Sequence, residues 1–277
     1  MTVPTVLSLT QIINRLLPEP HAGLLVGLLF GTKSSLPPDF YDALVASGTL
    51  HIVALSGMNI AIMSRLVQMV LVGAIGRRAS GVATIGFICW FVWFVGASPS
   101  IIRASLMGGV SLLAVLFGRQ YWAIYAWSIA VVLMLFSRPQ WLTDISFQLS
   151  ALATLGIILF GGDPSAENNP GGKIIKWGSY IKKIVITDLR LTLAAQVFTV
   201  PIVFWNFHKV SLISPVANLL IGWVIGPLTG LGWITVLLSF FWFPLGYIVA
   251  WLDWVFLEYI VRTVYIMGSL PFSNIGL

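Results

Sequence analysis

The sequence predicts an all-α fold, a polytopic integral membrane helix bundle of seven to nine spans that includes broken or re-entrant segments. Three observations carry that prediction. Of 277 residues, 58% are hydrophobic and only 9% charged, whereas soluble domains carry about 25% charged residues. Apolar runs of spanning length recur along almost the whole chain, so no stretch remains for an independent soluble domain. The only long hydrophilic connection is 162–185.

The chain divides into an amphipathic, interfacial lead-in over 1–50 and a membrane domain over 51–277. Within the lead-in, 5–17 reads as an amphipathic helix lying along the membrane surface. It places Val6, Leu9, Ile12, Ile13 and Leu16 on one face, with Gln11, Asn14 and Arg15 elsewhere. Asn14, Arg15 and Pro18 interrupt the pattern of a secretory signal, so the N-terminus is expected to be retained. A short apolar run at 22–31 and a polar turn containing Pro37 and Pro38 follow. Spans are then expected near 51–73, 81–97, 100–118, 121–137, 145–161, 186–205, 211–240 and 245–268. The stretch 211–240 is too long for one straight pass. Gly226 and Pro227 mark an expected break there, giving a re-entrant segment or two short helices. Pro201 marks a similar point in the preceding span.

Lys173, Lys176, Lys182 and Lys183 place the long connection in the cytoplasm, with Arg77, Arg78 and Arg119 on the same side. His51 and the N-terminal region then face outward. Cys89 is the chain's single cysteine, which excludes an intramolecular disulfide and a cysteine-rich metal site. The three histidines, His21, His51 and His208, form no clustered metal motif, so neither a metal nor a cofactor is expected. The sequence also contains no Gly-x-x-x-x-Gly-Lys-Ser/Thr loop for nucleotide phosphates. It predicts no enzyme.

Function is sought where polar groups enter apolar helices, because an intramembrane charge costs about 2.5–3.5 kcal/mol on insertion scales. Arg103 follows the turn Ser98-Pro99-Ser100 and faces either a cavity or the headgroups. Asp144 precedes an apolar run as a helix cap, with Gln148 and Ser150 continuing a polar stripe. Glu258 and Arg262 have the spacing of a structural ion pair on one helix face, whereas Asp253 has no basic partner at helical spacing. The sharpest local anomaly is His51 to Ile62, HIVALSGMNIAI, where Ser56, Gly57 and Asn59 interrupt an apolar helix. Glycine and serine at such places also let helices pack closely.

This segment resembles the ComEC/Rec2 family of competence proteins, in which a histidine precedes a Leu-Ser-Gly or Ile-Ser-Gly turn. Four further segments are similar to that family in the same order. They are GLLFGTKSSLPPDFYDALVASGTL (27–50, with Gly48), SPSIIRASLMGG (98–109, with Arg103), DISFQLSALATLGIILF (144–160, with Gln148) and QVFTVPIVFWNFHKVSLISPVANLL (196–220, with Gln196, Pro201 and Asn218). Asn59 stands where the family usually has a histidine, which removes a titratable group.

The resemblance implies that 51–277 is a competence channel domain in the cytoplasmic (inner) membrane, a multi-pass conduit for single-stranded DNA during natural transformation. It implies an external DNA receptor, a cytoplasmic ATPase that pulls the strand, and single-strand-binding proteins as partners beside the lipid bilayer. Self-association into a homo-oligomer is compatible with such a domain. Ser56, Asn59, Arg103, Gln148, Gln196 and Asn218 are the candidate lining residues, His51 and His208 the candidate outer mouth, and Gly57, Pro201, Gly226 and Pro227 points of helix break or close packing. Family members commonly add an oligonucleotide-binding barrel and a metallo-β-lactamase-like domain, and neither is readable in these 277 residues. The alternatives are a small-solute or ion-coupled transporter, motivated by Asp253 and the broken 211–240 region, and a non-transporting membrane scaffold.

Overall fold

A computed structural model describes residues 5–32, 36–53, 57–118, 120, 122–162, 177–207, 209–271 and 275–276. Ten α-helices occur among them: α1 (Val6–Leu16), α2 (His21–Phe30), α3 (Pro38–Ala46), α4 (Gly57–Val95), α5 (Pro99–Leu116), α6 (Ala123–Ser137), α7 (Ile145–Phe160), α8 (Trp177–Phe207), α9 (Ser214–Phe241) and α10 (Phe243–Gly268). A two-residue antiparallel pairing of Lys209–Val210 with Ile275–Gly276 closes the far end of the chain onto the α8–α9 connection.

Four segments are long and apolar enough to cross a membrane: Leu50–Val95, Val185–Asn206, Ser214–Phe241 and Phe243–Gly268. The helices α2, α6, α7 and the bulk of α5 are apolar but shorter. The all-helical membrane architecture therefore stands, and by length and composition these four segments define it. Inside α4, Gly76 adopts φ 76° and ψ 169°, which interrupts the helical conformation between 57–75 and 77–95. Only glycine takes that conformation without a steric penalty.

The amphipathic reading of 5–17 matches α1. Thr5 caps it reciprocally with Ser8: the Ser8 backbone N–H donates to Thr5 Oγ1 at 3.3 Å, and the Thr5 N–H donates to Ser8 Oγ at 3.0 Å. Its buried face is Leu9, Ile13 and Leu16, packed into the same core as α2 and α9. Every residue of α2 is buried. A helix apolar on all sides has no face to offer to water, so it is stable only when surrounded. Here α1, α4, α9 and α10 pack against it, within a buried cluster that includes Phe40, Leu44, Ile221, Leu228, Leu257 and Ile260. Gly232 allows the close approach, since a Cβ there would stand 2.8 Å from Leu25 Cδ1 and 3.3 Å from Leu29 Cδ1.

A second cluster, Ile60, Phe91 and Ile101, joins α4 to α5, and a third, Met134, Phe147 and Ala151, joins α6 to α7. Trp233 on α9 links the first two clusters, meeting Phe30 edge-on at 5.5 Å and Phe91 at 5.7 Å.

Two expectations are corrected. The stretch 211–240 is not broken at Gly226 and Pro227, because α9 runs uninterrupted from Ser214 to Phe241. An interior proline costs a helix one hydrogen bond and a steric clash, yet the flanking Val224, Ile225, Leu228 and Thr229 are all buried in helix contacts that hold the axis through it. Pro227 itself is exposed, and a Cβ added at Gly226 would meet nothing within 4 Å, so neither residue marks close packing. Pro201 likewise lies inside the continuous helix α8. The span expected near 186–205 matches Val185–Asn206, and α8 begins ahead of it at Trp177, so the last part of the hydrophilic connection is helical; residues 163–176 lie outside the described residues.

Asp144 caps α7 as the sequence suggests, accepting from the Phe147 N–H at 2.9 Å. Asp253 is fully buried in the seam of α9 and α10, where Thr235 Oγ1 donates to its Oδ2 at 2.5 Å and Oδ1 has no hydrogen-bond partner. Most other hydroxyls in these helices bond the carbonyl four residues back, as Thr229 and Ser239 do. Thr235 instead ties α9 to α10, as does Tyr259, whose hydroxyl donates to the Leu220 carbonyl at 3.0 Å. Thr235→Val should therefore lower stability by about 1–3 kcal/mol by leaving the carboxyl without a donor, while Thr235→Ser should retain most of it. Thermal unfolding in detergent measures both, and an unchanged Val variant would refute this role.

Candidate functional site

The candidate site is a groove of about 370 Å³ between α4, α5 and α7, lined in part by Gly57, Ser64, Arg65, Gln68, Arg103 and Thr154. Arg103 is its buried wall, with 8% of its surface exposed. Its Nη1 donates to the Ser150 carbonyl on α7, so α5 reaches across to the polar stripe that begins at Asp144. The same carbonyl accepts from Thr154 Oγ1 at 3.0 Å. Nε of Arg103 is buried without a hydrogen-bond partner. Among the described residues no carboxylate pairs with this guanidinium, because the two ion pairs found, His21 with Glu258 and Arg262 with Glu258, are elsewhere. Of the two readings open for Arg103, cavity or headgroup, the side chain takes the cavity.

Gly57 opens α4 beside it. A Cβ at that position would stand 3.3 Å from Ala104 Cβ and 3.8 Å from Arg103 Nη2, so the glycine keeps α4 and α5 close at the guanidinium. Arg65, two turns along α4, is exposed at the groove. Ser64 and Thr154 donate their protons to Ile60 and Ser150 carbonyls, which leaves the N–H groups of Arg103, Arg65 and Gln68 and the Ser111 hydroxyl as the groove's donors. Among the described residues no Asp or Glu lines it. Such an arrangement offers an anion two guanidinium groups and, among the described residues, offers a cation no carboxylate.

A larger cleft of about 510 Å³ between α7 and α8 is lined by apolar side chains and Arg190. Arg190 Nε donates to the Phe160 carbonyl at 2.9 Å, which fixes it to the backbone of α7. That cleft offers no converging polar groups.

The other candidate residues fall in separate places. Asn59 is buried, and its Nδ2 donates to the Leu28 carbonyl of α2 at 2.8 Å, a bond that pins α4 to the central helix. Gln148 Nε2 donates to the Leu142 carbonyl at 2.8 Å, closing the turn before its own helix. Gln196 and Asn218 do meet, but on Ser214: Gln196 Nε2 lies 3.3 Å and Asn218 Nδ2 3.4 Å from Ser214 Oγ, which in turn approaches the Gly48 carbonyl at 3.4 Å. Gly48 has φ +71°, and a Cβ there would stand 2.6 Å from Ser214 Cβ. His51 is exposed in a short 3-10 turn, Leu50–Ile52. Ser56 and His208 lie outside the described residues.

The five lining candidates among the described residues thus do not converge on one cavity. Arg103 alone lines the groove, Gln196 and Asn218 form a separate cluster, and Asn59 and Gln148 are spent on backbone carbonyls. Sequence reasoning missed Arg65 and Gln68. Their spacing from Ser64, one and four residues on within a single helix, was the available signal. It also missed His21, whose Nε2 lies 2.7 Å from Glu258 Oε2 and which extends the Glu258–Arg262 pair to α2.

The Competence protein family profile matches residues 28–277, which takes in α4, α5, α7 and the groove. The chain belongs to the Competence protein family. ComE operon protein 3 of Bacillus subtilis (strain 168) is 27% identical over 212 residues, covering 75% of this chain and 25% of that protein. Uncharacterized protein YcaI of Escherichia coli (strain K12) is 27% identical over 229 residues, 76% of this chain and 28% of that protein. An uncharacterized protein of Aquifex aeolicus (strain VF5) is 25% identical over 156 residues, 56% of this chain and 37% of that protein. The chain spans about a quarter of the length of the first two of these relatives. No solved structure matches it.

The Ser214 cluster gives the site region its own stability test. Gly48→Ala should be destabilising by about 1–2 kcal/mol for the left-handed backbone, with a further contribution from overpacking against Ser214. Its thermal midpoint should lie below that of Ser214→Ala, which loses the hydroxyl but keeps the glycine; the reverse order would show that the backbone conformation is not what matters there.

Proposed function

We propose that this chain is the membrane-embedded part of a DNA-uptake machine and conducts a single DNA strand across the cytoplasmic membrane. The observation that carries this reading is the Competence family match over 28–277. A buried, carboxylate-free guanidinium beside an open groove supports it, because a single strand presents a continuous line of anionic phosphates and needs a wet lining with scattered cations. The net charge of +6 is in keeping with that partner, though basic residues also serve membrane orientation.

The conduit is passive in this reading. The sequence holds no nucleotide-phosphate loop, so a cytoplasmic ATPase supplies the pull, an external receptor delivers DNA, and single-strand-binding proteins receive it. The chain crosses the membrane several times, with the two halves of α4 on either side of Gly76 counted as separate passes. Each half approaches the length of the hydrocarbon core at ~1.5 Å per residue.

An ion-coupled transporter would draw on Asp253. That carboxyl instead engages Thr235 inside the helix seam and lines neither of the two cavities described.

The test is deletion of the gene followed by exposure of the cells to labelled external DNA, with arrival of label in the cytoplasm as the readout. Deletion should abolish arrival and the wild-type gene should restore it. Undiminished arrival in the deletion strain would end the conduit reading.

A further inference from the structure

We infer that the α4–α5 groove is a seat for one backbone phosphodiester, with Arg103 as its buried anchor and Arg65 as the exposed cation that admits the strand. This inference rests on the conduit reading and specifies its ligand chemistry. A buried guanidinium without a counter-ion is costly, and burial is tolerated when an anion or a set of acceptors completes its hydrogen bonds. Arg103 has one acceptor, the Ser150 carbonyl, which holds Nη1 and fixes the plane of the group. Nε is buried and unpartnered, so the guanidinium is short of acceptors, and the side chain borders an open groove. A guanidinium held at one nitrogen and incompletely satisfied, on the wall of an open groove, suits a phosphate oxygen arriving at its accessible N–H groups.

The surroundings narrow the ligand. No acidic side chain among the described residues lines the groove, so an anion meets no repulsion from a carboxylate. The hydroxyls of Ser64 and Thr154 donate to backbone carbonyls and are not free as donors toward an anion, leaving the N–H groups of Arg103, Arg65 and Gln68 and the hydroxyl of Ser111 as the donors that line the groove. Among the described residues no aromatic side chain lines the groove for stacking a base. The groove therefore reads charge without reading sequence, as a phosphate contact does. Gly57 keeps the floor low beside Nη2, where a larger residue would meet Ala104 and the guanidinium.

The full chain, purified in discs of phosphatidylcholine, should bind a fluorescent single-stranded oligothymidylate and fail to bind the same oligomer with uncharged methylphosphonate linkages. Arg103→Gln should weaken binding by about 10-fold or more, the scale of a lost charge-assisted hydrogen bond. It should also reduce the slope of log affinity against log salt by about 0.7 for each phosphate contact removed. Arg65→Gln, on an exposed position that tolerates change, should shift both quantities in the same direction. Arg138→Gln, an equal change of charge outside the groove, should shift neither.

Equal affinity and slope in wild type, Arg103→Gln and Arg65→Gln would overturn the assignment, as would failure of the wild type to bind oligothymidylate or equal binding of the uncharged oligomer. Loss of wild-type binding when phosphatidylglycerol is added to the discs would mean that a lipid headgroup occupies the groove, and would also overturn it. Overturning the assignment while gene deletion still blocks DNA uptake leaves the conduit reading intact; uptake that survives deletion removes both.

Discussion

The buried helix α2 constrains everything around it. Ten residues with no polar face cannot rest against water, and α2 is too short to cross a bilayer on its own. Its stability depends on being enclosed, and α1, α4, α9 and α10 supply the enclosure, most of it through one continuous apolar cluster running from Leu9 to Val264. The segment that looks like a preamble in the sequence therefore sits at the centre of the packing. Two polar contacts hold α2 in place: its Leu28 carbonyl takes the Asn59 amide from α4, and His21 at its start meets Glu258 on α10.

That arrangement explains why polar residues in these helices have such different fates. Inside an apolar bundle each hydrogen-bonding group needs a partner within the protein. Asn59 and Asp253 each find one partner in a helix seam, and Gln196 and Asn218 share Ser214. Many serines and threonines use their own helix's carbonyls. Arg103 differs because it is a cation, incompletely satisfied, on the wall of a groove that no carboxylate among the described residues lines. An incompletely satisfied charge at a groove is a more specific pointer to a ligand than the count of basic residues in the chain.

The helices and their order were largely legible. The Thr5 and Asp144 caps, the apolar faces of α1 and the extents of α5 to α7 follow from local patterns and short-range hydrogen bonds. The uninterrupted α9 was not legible, because glycine and proline signal a break locally while the packing of Val224, Leu228 and Thr229 holds the helix straight through them. Arg103 stood out in the sequence as a charge in an apolar helix, whereas Arg65 did not, since an arginine on a polar helix face is ordinary until a groove forms beside it.

By itself the sequence determined that this is a helical membrane protein and that its motifs run in the order of the competence family, since composition, apolar periodicity and motif spacing are properties of the linear chain. Only the tertiary structure decided which polar groups meet. Gly48, Gln196, Ser214 and Asn218 gather at one point, while Asn59 and Arg103 part company, because partners contributed by different helices depend on how those helices rotate and cross. Burial of α2 constrains how α1, α4, α9 and α10 pack around it, and no pattern within any single helix encodes that packing.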